Sequence, residues 1–244
     1  MSPKITLLLG CMLLAGSALA DCPNRTASNI GARYQITTSF AGSAEVQQRV
    51  MTLWRERGKA AHQYADAGMT EVWEQMTNGR LRMVRYFDAH QRGIEYEPKD
   101  MSGPSDTTDW SLKAQLVSDQ LIASMRRVAA NTQGCEPVEF LSADINHKQV
   151  QLEWLPQSKL VRKYMEISAG GIIKWELQEV ISDQQQVTNF FASRAGFYTT
   201  DYADVGDNES DPFLLGMINL GFIEHGSSGF YDEHGHAIGK GHPH

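Results

Sequence analysis

The sequence predicts a mainly β (α+β) fold: a curved antiparallel sheet or open half-barrel of about ten or eleven strands wrapped around one long helix, with a short C-terminal helix. Three observations carry that prediction. Asn78-Gly79 stands between TEVWEQMT and RLRMVRYFD, and Asn-Gly between runs rich in β-branched and aromatic residues is a strong hairpin signal, because both central residues of a type I′ turn need φ > 0. Trp110, Ala114, Val117, Leu121, Met125 and Val128 recur at helical spacings of three and four. In HKQVQLEWL the apolar Val150, Leu152 and Trp154 alternate with Gln149, Gln151 and Glu153, the period of a half-buried strand.

In chain order, MSPKITLLLGCMLLAGSALA reads as a secretory signal peptide: one Lys, an apolar run from Ile5 to Ala15, and Ala18-Leu19-Ala20 as a small-x-small cleavage site. Cleavage after Ala20 would deliver residues 21–223 as a single β-rich domain to the periplasm, followed by a flexible His-rich tail over 224–244. Cys22 follows Asp21 rather than the small residue a lipidation site wants, so ordinary cleavage is expected. Once Cys11 leaves with the signal, Cys22 and Cys135 form an even pair in an oxidising compartment, and a disulfide is the expectation. Closing so long a loop would stabilise by on the order of 4 kcal/mol in the chain-entropy model.

The formal charge is −7, becoming −8 when the single Lys4 is removed, and no long basic run exists. Nucleic acid and anionic lipid surfaces are therefore poor partners, and no segment of the mature chain is apolar and long enough to span a membrane.

ARYQITTSF, VQQRVMTLWRE and KAAHQY read as strands leading into the Asn78-Gly79 hairpin, and IEYEP as the next. A two-residue loop would place Met76 opposite Leu81, Glu74 opposite Met83 and Trp73 opposite Val84, with Glu74 diagonal to Arg85 and Gln75 beside Arg82. KDMSGPSDTTD is a loop. The helix from Trp110 to Val128 then has Thr108 or Asp109 as a cap and Gly134 at its C-terminal end, its Met and Leu stripe turned to the core. Period two returns in SKLVRKYMEIS, in IIKWELQEVI, where Ile173, Trp175, Leu177 and Ile181 share a face, and in VTNFFASR as a last strand.

An exported chain with about eleven antiparallel strands and a helix inserted partway resembles, over roughly Arg33 to Arg194, the periplasmic carriers of outer-membrane lipoproteins. Their open half-barrel with a helical lid holds acyl chains. The resemblance lies in the order of elements and in no residue motif. It implies an apolar concave face, and it transfers no functional residue.

The C-terminal third holds the residues with ligand chemistry. Asp201, Asp204, Asp207, Glu209 and Asp211 fall within eleven positions, an oxygen-rich cluster of the kind Ca²⁺ takes, although the spacing is not that of an EF-hand. The competing reading is capping: Asp211 and Pro212 suit the start of a helix PFLLGMINL. The apolar run from Phe213 to Ile223 is expected against the sheet, plugging its open side or lidding a cavity. His225, His234, His236, His242 and His244, five of the eight histidines, lie in a Gly-rich tail and could converge on Zn²⁺, Cu²⁺ or Ni²⁺. His62, His90 and His147 read as surface or hydrogen-bonded residues.

No nucleophile elbow, phosphate loop or metalloprotease motif is present in the sequence, and no residue is assigned a catalytic role. The expectation is a non-catalytic periplasmic binding or carrier protein for an apolar small molecule, a lipid or a segment of an envelope protein. The alternative is a periplasmic metal-binding protein using the tail histidines, with the Asp cluster as a second site.

Overall fold

Strand β1 (Asn29–Phe40) is the seam of the molecule: it pairs on one side with β2 (Val46–Glu56) and on the other with β11 (Gly171–Ile181). On the β2 side a meander continues through β3 (Lys59–Tyr64), β4 (Met69–Gln75), β5 (Leu81–Phe87) and β6 (Arg92–Tyr96). On the β11 side it runs through β10 (Leu160–Ser168), β9 (Lys148–Leu155), β8 (Val138–Ile145) and β7 (Arg126–Asn131). β12 (Tyr198–Asp201) joins the far edge parallel to β6, and every other pair is antiparallel. The result is one open, curved sheet of twelve strands. This computed structural model describes residues 27–101, 109–131, 135–208, 210–220, 230–231 and 237–238; the last two segments, β13 (Phe230–Tyr231) and β14 (Ala237–Ile238), form a separate two-stranded ribbon.

The central hairpin forms as expected but one residue out of the predicted register. Gln75 faces Leu81, Glu74 faces Arg82, Trp73 faces Met83 and Glu71 faces Arg85. The reason is the turn. Gly79 N donates to Met76 O and Met76 N to Arg80 O, and Gly79 alone takes positive φ, at 78°. That is a three-residue loop, a type I turn closed by a left-handed glycine, in place of a two-residue type I′ turn. A one-residue shift changes every cross-strand partner. Here it opposes unlike charges: Glu71 and Arg85 meet at 2.7 Å with side chains 1% exposed, and Glu74 meets Arg82 at 2.8 Å in the open.

The predicted long helix is broken. Its first part is α1 (Trp110–Gln115), capped by Asp109, which accepts from Ser111 N. Leu116 then takes the left-handed conformation, φ 68°, and ends the turn. Ser118 caps α2 (Asp119–Ser124) by accepting from Leu121 N, and Arg126 onward is strand β7. The stripe is still partly right: Val117 and Met125 are buried and Trp110 packs against the core, whereas Val128 lies on an edge strand and is 58% exposed.

VTNFFASR is likewise helix rather than strand, within α3 (Gln184–Ala195). Asp183 caps it, accepting from Gln185 N and Gln186 N, and Val187, Phe190, Phe191 and Arg194 form its buried stripe. The expected C-terminal helix is present as α4 (Pro212–Asn219), with Asp211 accepting from Phe213 N and Pro212 in the first turn.

Alternation along the strands divides the sheet into two faces. The inner face carries the main core, including Tyr34, Leu53, Trp73, Met83, Leu152 and Val161, and is covered by Leu116, Val117, Met125, Val205, Leu214 and Met217 from the helical segments. The outer face carries a smaller core, where Trp54, Ala61 and Ile181 receive Val187, Phe190 and Phe191 of α3. Trp54 stacks on Phe190 at 4.4 Å between ring centroids. Gly31 permits this: a Cβ there would stand 2.9 Å from Trp54 Cε3.

Candidate functional site

The inner face of β3 to β6 is apolar at its margins and charged at its centre. Adjacent strands place His62 beside Glu71 and Glu71 beside Arg85 along one cross-strand row. His62 Nε2 lies 2.7 Å from Lys113 O. A carbonyl oxygen only accepts, so Nε2 carries a proton. Burial pushes its pKa down to about 4, the backbone hydrogen bond opposing the shift and the nearby Lys113 charge adding to it. Lys113, itself 3% exposed, extends over the ring of Trp73 with Nζ 4.2 Å from the centroid, a cation–π contact that offsets part of its desolvation. Arg85 holds Glu71 through Nε and Nη2 and lies 5.6 Å from the Tyr96 ring. Burial raises the Tyr96 phenol to about 12, so it stays a neutral hydroxyl. These groups are enclosed, and Glu71 Oε2, Trp73 Nε1 and the Tyr96 hydroxyl are buried with no hydrogen-bond partner among the described residues.

At the β6 edge, α4 closes the inner face. Leu214 and Met217 enter the main core. Phe213 packs edge-on against Phe87 with centroids 5.4 Å apart. One ion pair ties the cap to the sheet, Arg92 Nη2 to Asp211 Oδ2 at 2.9 Å, with the same guanidinium 4.6 Å from the Phe213 ring. The Arg92 hydrogen bond holds the Asp211 carboxyl below the usual carboxylate range. The opposite side of the helix is not polar: Leu215, Ile218 and Leu220 are 42%, 44% and 47% exposed. With the C-capping Leu220 counted, and apart from the exposed Asn219, α4 is thus apolar on its outer side as well as its inner one, whereas a helix that simply closes a core carries a polar outer side. The question raised by the Phe213 to Ile223 run is answered for its described part: the chain fills its own inner face here.

A second concavity lies across β8 to β11, about 570 Å³ in volume. Ser142, Gln151, Met165 and Lys174 form one cross-strand row along it, and Phe140, Glu153, Lys163 and Glu176 the next. By alternation both rows belong to the outer face, while Leu141, Leu152, Tyr164 and Trp175 of the row between them also border the groove. The sequence reading missed this groove. The signal was Phe140 beside Leu141 in VEFLSADI: adjacent apolar residues in a strand must point to opposite faces, so both faces offer apolar surface.

Of the ligand residues named from sequence, Asp201 caps a short 3₁₀ turn by accepting from Ala203 N, and Asp204 and Asp207 lie in that turn and the next. Among the described residues no three His, Cys, Asp or Glu side chains are grouped to hold a metal ion. His225, His234, His236, His242, His244 and Cys22 lie outside the described residues. His90 packs against Phe213 and His147 occupies the β8–β9 turn with φ 61°. No helix among the described residues is long and apolar enough to cross a membrane.

No protein-family model and no curated protein matches the chain. Among solved structures it is similar to PNGF-II, with TM-score 0.36 and 11% identity over 71% of this chain, which spans 32% of that one. It is also similar to a domain described as that of an outer membrane lipoprotein-sorting protein from Vibrio parahaemolyticus, with TM-score 0.32 and 10% identity over 68% of this chain and 92% of the other. A third is the MucA/MucB complex of Pseudomonas aeruginosa, with TM-score 0.32 and 13% identity over 67% of this chain and 58% of that one.

Proposed function

We propose that this chain is a non-catalytic periplasmic binding or carrier protein that holds an apolar ligand, a lipid or acyl-bearing molecule, on the inner face of its sheet, with α4 as the exchangeable cover. The observation that carries this reading is the two-sided apolarity of α4: Leu214 and Met217 face the core while Leu215, Ile218 and Leu220 face outward. A cover of this kind presents apolar surface in either position, to the sheet when closed and to a ligand or donor when displaced. Burying the Leu and Met side chains contributes roughly 3–6 kcal/mol. The partly buried Arg92–Asp211 pair adds about 1 kcal/mol. Opening then occurs in roughly one molecule in a hundred to one in a hundred thousand, and a ligand reverses this when it favours the open form by more than about the same 3–7 kcal/mol.

Native mass spectrometry and solvent extraction of gently purified protein test the reading directly. Co-purifying acyl chains, or saturable binding of an apolar dye that is displaced by fatty acid, support it. A clean apo mass together with no dye binding overturns it.

A further inference from the structure

We infer that the open part of the outer face is a docking groove for an extended, acidic segment of a partner polypeptide laid across the strands. α3 covers this face from Ile181 at the end of β11 to Ala61 of β3, and its Phe190 stacks on Trp54. Away from Ile181 the face continues as the groove across β8 to β11, which meets β11 at Lys174 and Glu176. The register sets the order of groups along it: Ser142, Gln151, Met165 and Lys174 line it as successive cross-strand neighbours, and Arg126 of β7, opposite Ser142, extends the row just beyond the lining.

Charge complementarity identifies the occupant. Within the groove Glu153 is paired with Arg162 at 2.9 Å and Glu176 with Lys163 at 3.3 Å. Arg126 and Lys174, at the two ends of the row, pair with no carboxylate among the described residues; Arg126 donates only to Ser142 Oγ. On a chain of net charge −7 this row is a basic exception. Its end cations stand four strand spacings apart, about 19 Å, which about six residues of extended chain would span. Between them Met165, with Phe140 from the neighbouring row, offers apolar contact, and Ser142 and Gln151 offer hydrogen-bonding groups to a backbone. A segment with acids at both ends and apolar residues between them matches this sequence of surfaces. A compact ligand would meet only one end cation.

The test uses the full chain and a labelled synthetic peptide of about ten residues, Asp and Glu at each end and Leu-Phe at the centre, read by fluorescence anisotropy. Its control is the same peptide with Asn and Gln at the ends. The acidic peptide is expected to bind about tenfold or more tighter than the control at low salt, with the difference shrinking as ionic strength rises. In Arg126→Glu/Lys174→Glu, exposed positions whose change leaves the urea midpoint in place, the preference should reverse toward a peptide carrying Lys at its ends. That reversal is not produced by loss of structure. Equal binding of acidic and amide peptides, or unchanged preference in the double variant, overturns the proposal. Complete displacement of the peptide by decanoate would make the groove a small-molecule site and also overturns it. These outcomes concern the face opposite the apolar site proposed above and are read independently of it.

Discussion

His62 is neutral because burial disfavours its charged form and outweighs the opposing carbonyl hydrogen bond, and that makes it a pH-dependent load on stability. Its folded pKa, about 4, lies below the ordinary histidine value. Between those two values the unfolded chain binds a proton that the folded chain refuses. Stability contributed by His62 is therefore complete above about pH 6.5 and is lost as pH falls toward 4, by about 3 kcal/mol over the interval. His62→Gln, which keeps a donor for Lys113 O, should flatten urea midpoints across that range while costing little at pH 8. An unchanged slope would show that His62 is not the group responsible. The Glu71–Arg85 pair beside it has the opposite logic, since each charge is tolerated because the other is present. Arg85→Met should cost about 3–5 kcal/mol by stranding a carboxylate, whereas Glu71→Leu/Arg85→Met should recover most of the loss. A double-mutant cycle in urea distinguishes these outcomes.

At the scale of elements, α3 is held by Val187, Phe190 and Phe191 packed on Trp54, Ala61 and Ile181 and by polar contacts: Thr188 Oγ1 donates to Glu56, and Arg194 pairs with Asp88 at 2.7 Å. Phe190→Ala should cost about 3 kcal/mol, and Gly31→Ala about 1–3 kcal/mol, because its new Cβ meets Trp54 and Ile181. Both should shift tryptophan emission as Trp54 loses its partner. This element also shows what the sequence displays and what it hides. VTNFF has the composition of a strand, yet Asp183 is a cap and Val187, Phe190, Phe191 and Arg194 keep helical spacing, so the cap and the period were the legible signals. The broken helix is similar: Ser118, a capping residue, stands inside an otherwise helical run, but nothing in LVSD announces the left-handed Leu116 that ends α1. Val46–Glu56 and Lys59–Tyr64 could be read to the residue, because clear turn signals bound them. The hairpin register could not, because Asn-Gly suits both a two-residue and a three-residue loop, and only the buried Glu71–Arg85 opposition decides between them. α4 was legible from Asp211-Pro212 and its apolar run, whereas its half-exposed outer side depends on where the sheet ends, which no local pattern states.

At the scale of the molecule, two further tests address regions that flank the sheet. If the tail histidines form a metal site, calorimetric titration with Zn²⁺ and Cu²⁺ should give a saturable isotherm on the full chain that weakens below about pH 6.5 and disappears when the chain is cut after Gly221. Equal affinity in the two forms would place any site elsewhere. The Cys22–Cys135 bridge, if formed, predicts no titratable thiol in the mature denatured protein and a loss of up to about 4 kcal/mol on reduction.

The arrangement of the whole sheet turns on a division of labour between its faces. The inner face is filled by the chain's own helices, and the side of α4 that faces away from the core stays apolar. If α4 serves only to complete the core, its two sides should differ only in stability: Leu214→Ala should cost about 2–5 kcal/mol and Ile218→Ser less than about 0.5 kcal/mol, with neither altering ligand behaviour beyond that. If it is an exchangeable cover, the two substitutions separate along a second axis. Leu214→Ala should raise both the rate and the extent of apolar dye uptake by favouring the open form. Ile218→Ser should leave the unfolding midpoint in place and slow the transfer of bound dye to acceptor vesicles, because the outward side is then less able to follow the ligand out. Stopped-flow uptake and transfer, measured beside urea denaturation, separate the two. Transfer rates that merely track stability would reduce α4 to a structural plug.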